Sequence, residues 1–136
     1  MADHGDPAIV TELERAATGP ITVDITTTGR RSGRPQRIEI WIVRVGERLV
    51  IGGTPGKRSW LANVRADPSM TVHLKDDVVA DLRFDAREVT DPAVRREIWT
   101  HPNTEWYRGQ TDVEDLISTA PTIELTPQPG VTRQPE

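Results

Sequence analysis

Arg30, Arg31, Arg34 and Arg37 fall within eight residues of the segment TTTGRRSGRPQR, interleaved with Gly29 and Gly33. Four guanidinium groups this close repel one another unless they are solvated, paired or filled by an anion. The two glycines permit positive φ angles, which would aim backbone N–H groups into a concave anion nest. The chemistry that follows is capture of a phosphate or carboxylate; the competing account is a hairpin turn whose arginines face water. Ser32 has no histidine near it in sequence that would suggest a triad, so its loop position fits phosphate binding instead.

Other chemistries find little support. With no cysteine there is no thiolate nucleophile, thiol redox centre or cysteine-ligated metal site. His4, His73 and His101 are too scattered for a metal site. Asp76-Asp77 and the Asp112, Glu114, Asp115 group are accounted for by a turn and a solvated helix face. Neither Walker A nor GxGxxG occurs. Redox chemistry would therefore have to be borrowed from a cofactor.

Charge is unevenly spread. Residues 30–65 hold nine basic and two acidic residues, net +7, whereas the remainder holds eight basic and nineteen acidic, net −11, giving −4 for the 136-residue chain. An acidic protein with one basic segment suits capture of a small polyanion better than coating of nucleic acid. No run approaches the ~20 apolar residues of a membrane helix, and the N-terminus lacks the basic-then-apolar order of a signal peptide. The reading is a cytoplasmic, single-domain protein.

The elements that must position these residues can be read in order. A short amphipathic helix is predicted over Pro7–Ala17. Ile21, Val23 and Ile25 alternate with polar residues as in a half-buried strand. After the arginine turn, Ile38, Ile40 and Ile42 alternate again, Gly46-Glu47 reverses the chain, and Leu49–Ile51 completes a three-stranded meander. The loop GGTPG leads to a helix over SWLANVRA, with Ser59 as its cap and Asp67-Pro68 as its stop. Trp60 and Asn63 share one side of that helix and could border a site, although packing would equally explain the tryptophan. A second hairpin spans Met70–Leu74 and Val78–Val89. Asp91-Pro92 opens a helix carrying Val94, Ile98 and Trp99, a last helix is predicted over Thr104–Ser118, and Thr122–Leu125 returns as a strand. Six antiparallel strands with short helices favour a small closed barrel, mainly β within the α+β class. The divisions are a helical extension at 1–18, the barrel domain at 19–127 and a loose tail at 128–136.

TTTGRRSGRP, the GG loop with GKRSWLANVRADP, and SMTVHLK together resemble the deazaflavin (F420)-dependent nitroreductase and quinone reductase family over most of residues 21–127. That resemblance implies a six-stranded antiparallel split β-barrel with short flanking helices, and a reduced deazaflavin lying in a groove with its phosphate and oligoglutamate tail on basic residues. By position, Arg30, Arg31 and Ser32 would contact tail or phosphate, assisted by Arg34 or Arg37. Gly53, Thr54 and Pro55 would run along the ring or linker; Lys57, Trp60 and Asn63 would close the site, with a favourable helix dipole near Ser59. A hydride would pass to an electron-poor acceptor such as a quinone, nitroaromatic or activated enone. Trp41, Trp99, Trp106 and Tyr107 would form the acceptor pocket, with Tyr107 either its wall or the proton donor. The segment WYRGQT lacks the tyrosine one turn later found in the best-known branch, which implies a different substrate choice. The alternatives are the same barrel using FMN, or a non-catalytic carrier of a cofactor or amphiphile. Either a monomer or a homodimer is compatible with the fold.

Overall fold

The computed structural model describes residues 19–56, 58–75 and 79–128; the helix expected over Pro7–Ala17, Lys57 and most of the tail lie outside them. Six strands run β1 Ile21–Thr28, β2 Pro35–Val45, β3 Arg48–Gly52, β4 Ser69–Lys75, β5 Val79–Glu88 and β6 Thr122–Pro127. They close as an antiparallel barrel in the order β1-β2-β3-β6-β5-β4, the expected split barrel. Among the described residues four helices accompany it: α1 Ser59–Ala66, α2 Pro92–Thr100, α3 Glu105–Arg108 and α4 Val113–Thr119, with a 3-10 turn at Pro102–Thr104 between α2 and α3. Among the described residues no helix is long and apolar enough to cross a membrane.

The alternation read from β1 is the alternation of burial. Val23 and Ile25 point into the barrel with Ile42, Leu49, Ile51, Val72, Leu82, Phe84 and Ile123. β3 is apolar on both faces because it separates two cores. Leu49 and Ile51 face the barrel interior, while Val50 joins Val43, Val45, Ile98, Trp99, Tyr107 and Leu116 in a second core under the helices. A strand covered on both sides loses the polar half of its pattern.

Turn chemistry sets the remaining boundaries. Gly46, at φ 62°, reverses the chain between β2 and β3, and the Asp91 carboxylate accepts the Ala93 N–H at 2.8 Å to start α2. The single helix expected over Thr104–Ser118 is two. α3 ends at Gly109, and Asp112 caps α4 by accepting the Glu114 N–H at 3.0 Å. Ser59 is the first helical residue rather than the cap; Arg58, in extended conformation with no side-chain capping bond, holds that position.

One end of the barrel is plugged by α1. Trp60, Leu61, Asn63 and Val64 are its buried residues, and they meet the part of the β1–β2 hairpin that projects beyond the β1–β4 pairing. β1 pairs with β2 over eight residues and with β4 only from Asp24 to Thr26. β2 pairs with β3 only from Ile42 to Val45, so its outer half is bonded to β1 alone, and Ile38 there is 37% exposed.

Candidate functional site

The arginine turn is held in place by one buried amide. Asn63 projects from α1, 4% exposed. Its Nδ2 group donates to the Thr27 hydroxyl (3.1 Å) and to the Gln36 side-chain oxygen (2.9 Å), while its Oδ1 accepts the Arg30 N–H (3.0 Å). All three polar sites used by the side chain are partners from the two ends of the turn. Asn63 thus acts as a strut for the turn, and it also lines the larger of the two clefts beside α1.

The turn itself departs from the nest predicted for it. Gly33 has φ 72°, as expected, but Gly29 does not adopt a positive φ. Its need is space: a Cβ there would stand 2.6 Å from Ser32 Oγ and 2.9 Å from Gln36 Nε2. The N–H groups of Gly29, Arg30, Gly33 and Arg34 all bond within the protein, to the Arg34 carbonyl, Asn63, the Gly29 carbonyl and Ser32 Oγ respectively. Among the described residues, only the amides of Arg31 and Ser32 within the turn lack an acceptor. Anion capture falls chiefly to guanidinium groups.

Two concavities flank α1. The larger, about 1080 Å³, runs from Arg30, Arg31, Ser32 and Gln36 past α1 to the C-terminal end of α4. Arg58, Arg65 and Arg95 add to its cationic wall, and Glu88 supplies its carboxylate. Arg65 and Glu88 form a two-pronged ion pair, Nε–Oε1 2.9 Å and Nη2–Oε2 2.6 Å. The hydrogen bond from Arg65 holds the Glu88 carboxyl below its usual pKa, and Glu88 raises that of Arg65. Arg95 is buried and donates to the carbonyls of Val89, Leu116, Ile117 and Ala120. It ties α2 to the last turn of α4, where orphan carbonyls need donors, and burial lowers its pKa.

The smaller concavity, about 340 Å³, is lined by Ile38, Ile40, Trp41, Trp60, Trp106 and Tyr107 together with Gly53, Thr54 and Arg58. Its aromatic groups pack edge to face: the Trp41 and Trp106 centroids are 4.6 Å apart at 77°, and those of Trp106 and Tyr107 5.3 Å apart at 89°. This is the arrangement that the ring quadrupoles favour. Trp106 is 46% exposed and forms the lip. Among the described residues the Tyr107 hydroxyl has no hydrogen-bond partner, and burial of its ring pushes its pKa up to about 12.

The residues predicted for the site are therefore divided. Arg30, Arg31, Ser32 and Asn63 line the larger cleft; Gly53, Thr54, Trp41, Trp60, Trp106 and Tyr107 line the smaller one; Lys57 lies outside the described residues. Pro55 is exposed beside them. Arg34 and Arg37 belong to neither wall. Arg37 follows Gln36 in a strand, so it points to the opposite face of the hairpin, where it donates to Asp24 at 2.9 Å. Trp99 corrects another expectation: 1% exposed, it donates its indole N–H to the Thr122 hydroxyl at 2.9 Å and packs beneath Tyr107 at 5.3 Å. It supports the pocket from the core. Gly52 makes this possible, since a Cβ there would meet the Trp99 ring at 3.1 Å and the Pro121 carbonyl oxygen at 2.5 Å.

Arg58 is the functional candidate that sequence reading passed over, although it adjoins Lys57. It lines both concavities. Its Nη1 donates to the Gly56 carbonyl at 3.1 Å and its Nη2 reaches the Thr54 hydroxyl at 3.5 Å.

Comparison with known proteins agrees with this architecture. The model of the family described as F420H2-dependent quinone reductase matches residues 5–119. A solved F420-H2 dependent reductase, FDR-A, is 24% identical, covering 77% of this chain and 93% of that one with a TM-score of 0.51. A solved F420 reductase is 21% identical over 85% of this chain and 92% of its own, at a TM-score of 0.60. A conserved hypothetical protein from Mycobacterium tuberculosis is 19% identical over 87% and 79%, at a TM-score of 0.64. At these identities the structural likenesses carry the barrel fold.

Proposed function

Because the chain belongs to the F420H2-dependent quinone reductase family and is an F420-dependent oxidoreductase, we propose that its larger cleft holds the anionic part of the cofactor and its aromatic pocket receives a planar, electron-poor acceptor, a quinone before a nitroaromatic or enone. When bound, the reduced deazaflavin supplies a hydride. The fit rests on charge and continuity: a phosphate-bearing, multiply carboxylated tail suits a long open cleft with Arg30 and Arg31 at one end, and Arg58 joins that cleft to the pocket where the acceptor would lie.

Each residue then has a defined task. Arg30 and Arg31 present planar forks that match phosphate and carboxylate oxygens in pairs. Ser32 adds a hydroxyl. Asn63 fixes the turn, so less ordering remains to be done on binding. Trp41, Trp60 and Trp106 present aromatic surface and exclude water from one side of a flat acceptor. Tyr107 contributes a wall and a neutral hydroxyl, and solvent at the open lip delivers the proton that completes the reduction.

The observation that carries this reading is the juxtaposition of a cationic cleft and an aromatic pocket on either side of α1. It is tested by fluorescence titration with F420 and, in parallel, FMN, at low and high salt, in wild-type protein and in Arg30→Ala/Arg31→Ala. Selective F420 binding that weakens with salt and collapses in the double variant is expected, followed by turnover of a quinone. FMN binding in place of F420 would overturn the cofactor placement. Tight F420 binding without turnover of any acceptor would make the chain a carrier.

A further inference from the structure

We propose that Arg58 stabilises the negative charge that the acceptor gains on receiving the hydride, a catalytic role that rests on the reductase reading above. Addition of a hydride to a quinone brings in two electrons and one hydrogen nucleus; the cofactor is oxidised by two electrons, the quinone ring becomes aromatic, and one former carbonyl is left as an aryl oxide. That oxygen stays anionic until a proton arrives from water. A pocket suited to the step therefore holds a positive charge near the acceptor, placed before the reaction begins.

Arg58 is the cation of the aromatic pocket. Its other charged wall residue, Glu39, pairs with Lys75. Arg65, which shares the larger cleft with Arg58, is neutralised by Glu88, whereas among the described residues no carboxylate lies within ion-pair distance of Arg58. Its two partners, the Gly56 carbonyl and the Thr54 hydroxyl, are neutral and hold it without cancelling its charge. At most two of its five N–H donors are used, leaving others for an oxygen in the pocket.

The local backbone keeps room for it. Gly53 faces the guanidinium, and a Cβ there would stand 3.2 Å from Nη2; Gly56, at φ 149°, turns its carbonyl to receive Nη1. Half-buried where the two concavities meet, the charge acts through a lower effective dielectric than a fully exposed arginine would. A neutral quinone gains little from it and the aryl oxide gains much, which is the difference that accelerates a reaction.

The test uses the cofactor-free protein and a stable aryl oxide. 2,4-Dinitrophenol, ionised at pH 7, and its neutral methyl ether, 2,4-dinitroanisole, are titrated against tryptophan fluorescence in wild type, Arg58→Gln, Arg58→Lys and Arg30→Ala/Arg31→Ala. Wild type is expected to prefer the anion by about tenfold or more. Arg58→Gln should bring the ratio close to one with the ether's affinity kept, Arg58→Lys should restore part of it, and the turn variant should retain it. Turnover with F420H2 and a quinone should fall in Arg58→Gln by about 10²–10³ in kcat with a smaller change in KM. An anion preference that is absent in wild type, survives in Arg58→Gln, or disappears in the turn variant instead would overturn the assignment. So would a large loss of F420 affinity in Arg58→Gln with the anion preference intact, which would place Arg58 among the cofactor's ligands. Failure of wild type to bind F420 is a separate result, and it would count against the cofactor cleft, not against Arg58.

Discussion

The side-chain oxygen of Asn63 accepts the backbone N–H of Arg30 across 3.0 Å, while its amide group reaches Thr27 and Gln36. One residue of α1 therefore sets the conformation of a turn thirty-three positions away. Asn63→Ala leaves a buried hydroxyl and a backbone N–H without partners, at a cost of about 1–3 kcal/mol for each such group. The expected result is a lower denaturation midpoint together with weaker F420 binding. Asn63→Asp keeps the acceptor for Arg30 but loses both donors, and it should fall between the alanine variant and wild type in binding.

Arginine geometry should matter as well as charge. Arg31→Lys preserves the charge and removes the planar fork, so F420 affinity should drop by about fivefold to tenfold. Arg34→Ala, which alters a residue belonging to neither wall, should change it by less than about twofold. Isothermal titration at fixed salt would rank the two; equal effects would mean that only the summed charge of the turn is felt.

Tyr107, with its pKa pushed up to about 12 by burial, keeps its proton throughout the neutral range. The kcat–pH profile between pH 6 and 9 should therefore carry no limb from this residue. Tyr107→Phe should retain turnover within a few-fold, because the lip of the pocket is open and water can deliver the proton. A loss of about a hundredfold or more, with an enlarged solvent isotope effect, would assign the donation to the hydroxyl.

Asp24 lies on the outer face of β1 between two cations. Hydrogen bonds from Lys75, at 2.7 Å, and from Arg37 lower its pKa, and Asp24 and Glu39 in turn raise that of Lys75. A lowered carboxyl pKa adds stability above the unfolded-state value near 3.8 and loses it as the pH falls through the folded-state value. A raised lysine pKa adds stability that is complete below the unfolded-state value near 10.5 and fades as the pH rises through the folded-state one. The thermal midpoint of Asp24→Asn should lie below that of wild type by a constant margin from pH 5 to 8. The margin should narrow in acid below about pH 4 and again in strong alkali.

Legibility in the sequence followed the range of the interactions concerned. The alternation of Ile21, Val23 and Ile25, the Asp91-Pro92 start of α2 and the reversal at Gly46 are local, and each is present as read. Gln36 and Arg37 could have been separated by strand parity alone, once Gln36 was seen to share the face of Thr27. Trp99 and Trp106 could not. Both sit on short helices; the first is buried in the second core with its indole N–H on Thr122 of a later strand, while the second packs on Trp41 from β2 and leaves 46% of its surface exposed. Ile38 kept its place in the alternation, but alternation names a face without saying what lies against it. Glu88, Arg65 and Arg95 reach the larger cleft from β5, α1 and α2, and only closure of the barrel brings them together.

The short ladder between β1 and β4, three residue pairs against eight for β1 with β2, bears on amide exchange. A seam that short opens at lower free energy than the rest of the barrel, so those alternate amides of Thr71–His73 that face β1 rather than β5 should exchange by local parting of β1 from β4. The same β1 runs into the turn that carries Arg30 and Arg31. An anion that steadies the turn therefore slows exchange at β4, on a strand that it does not touch.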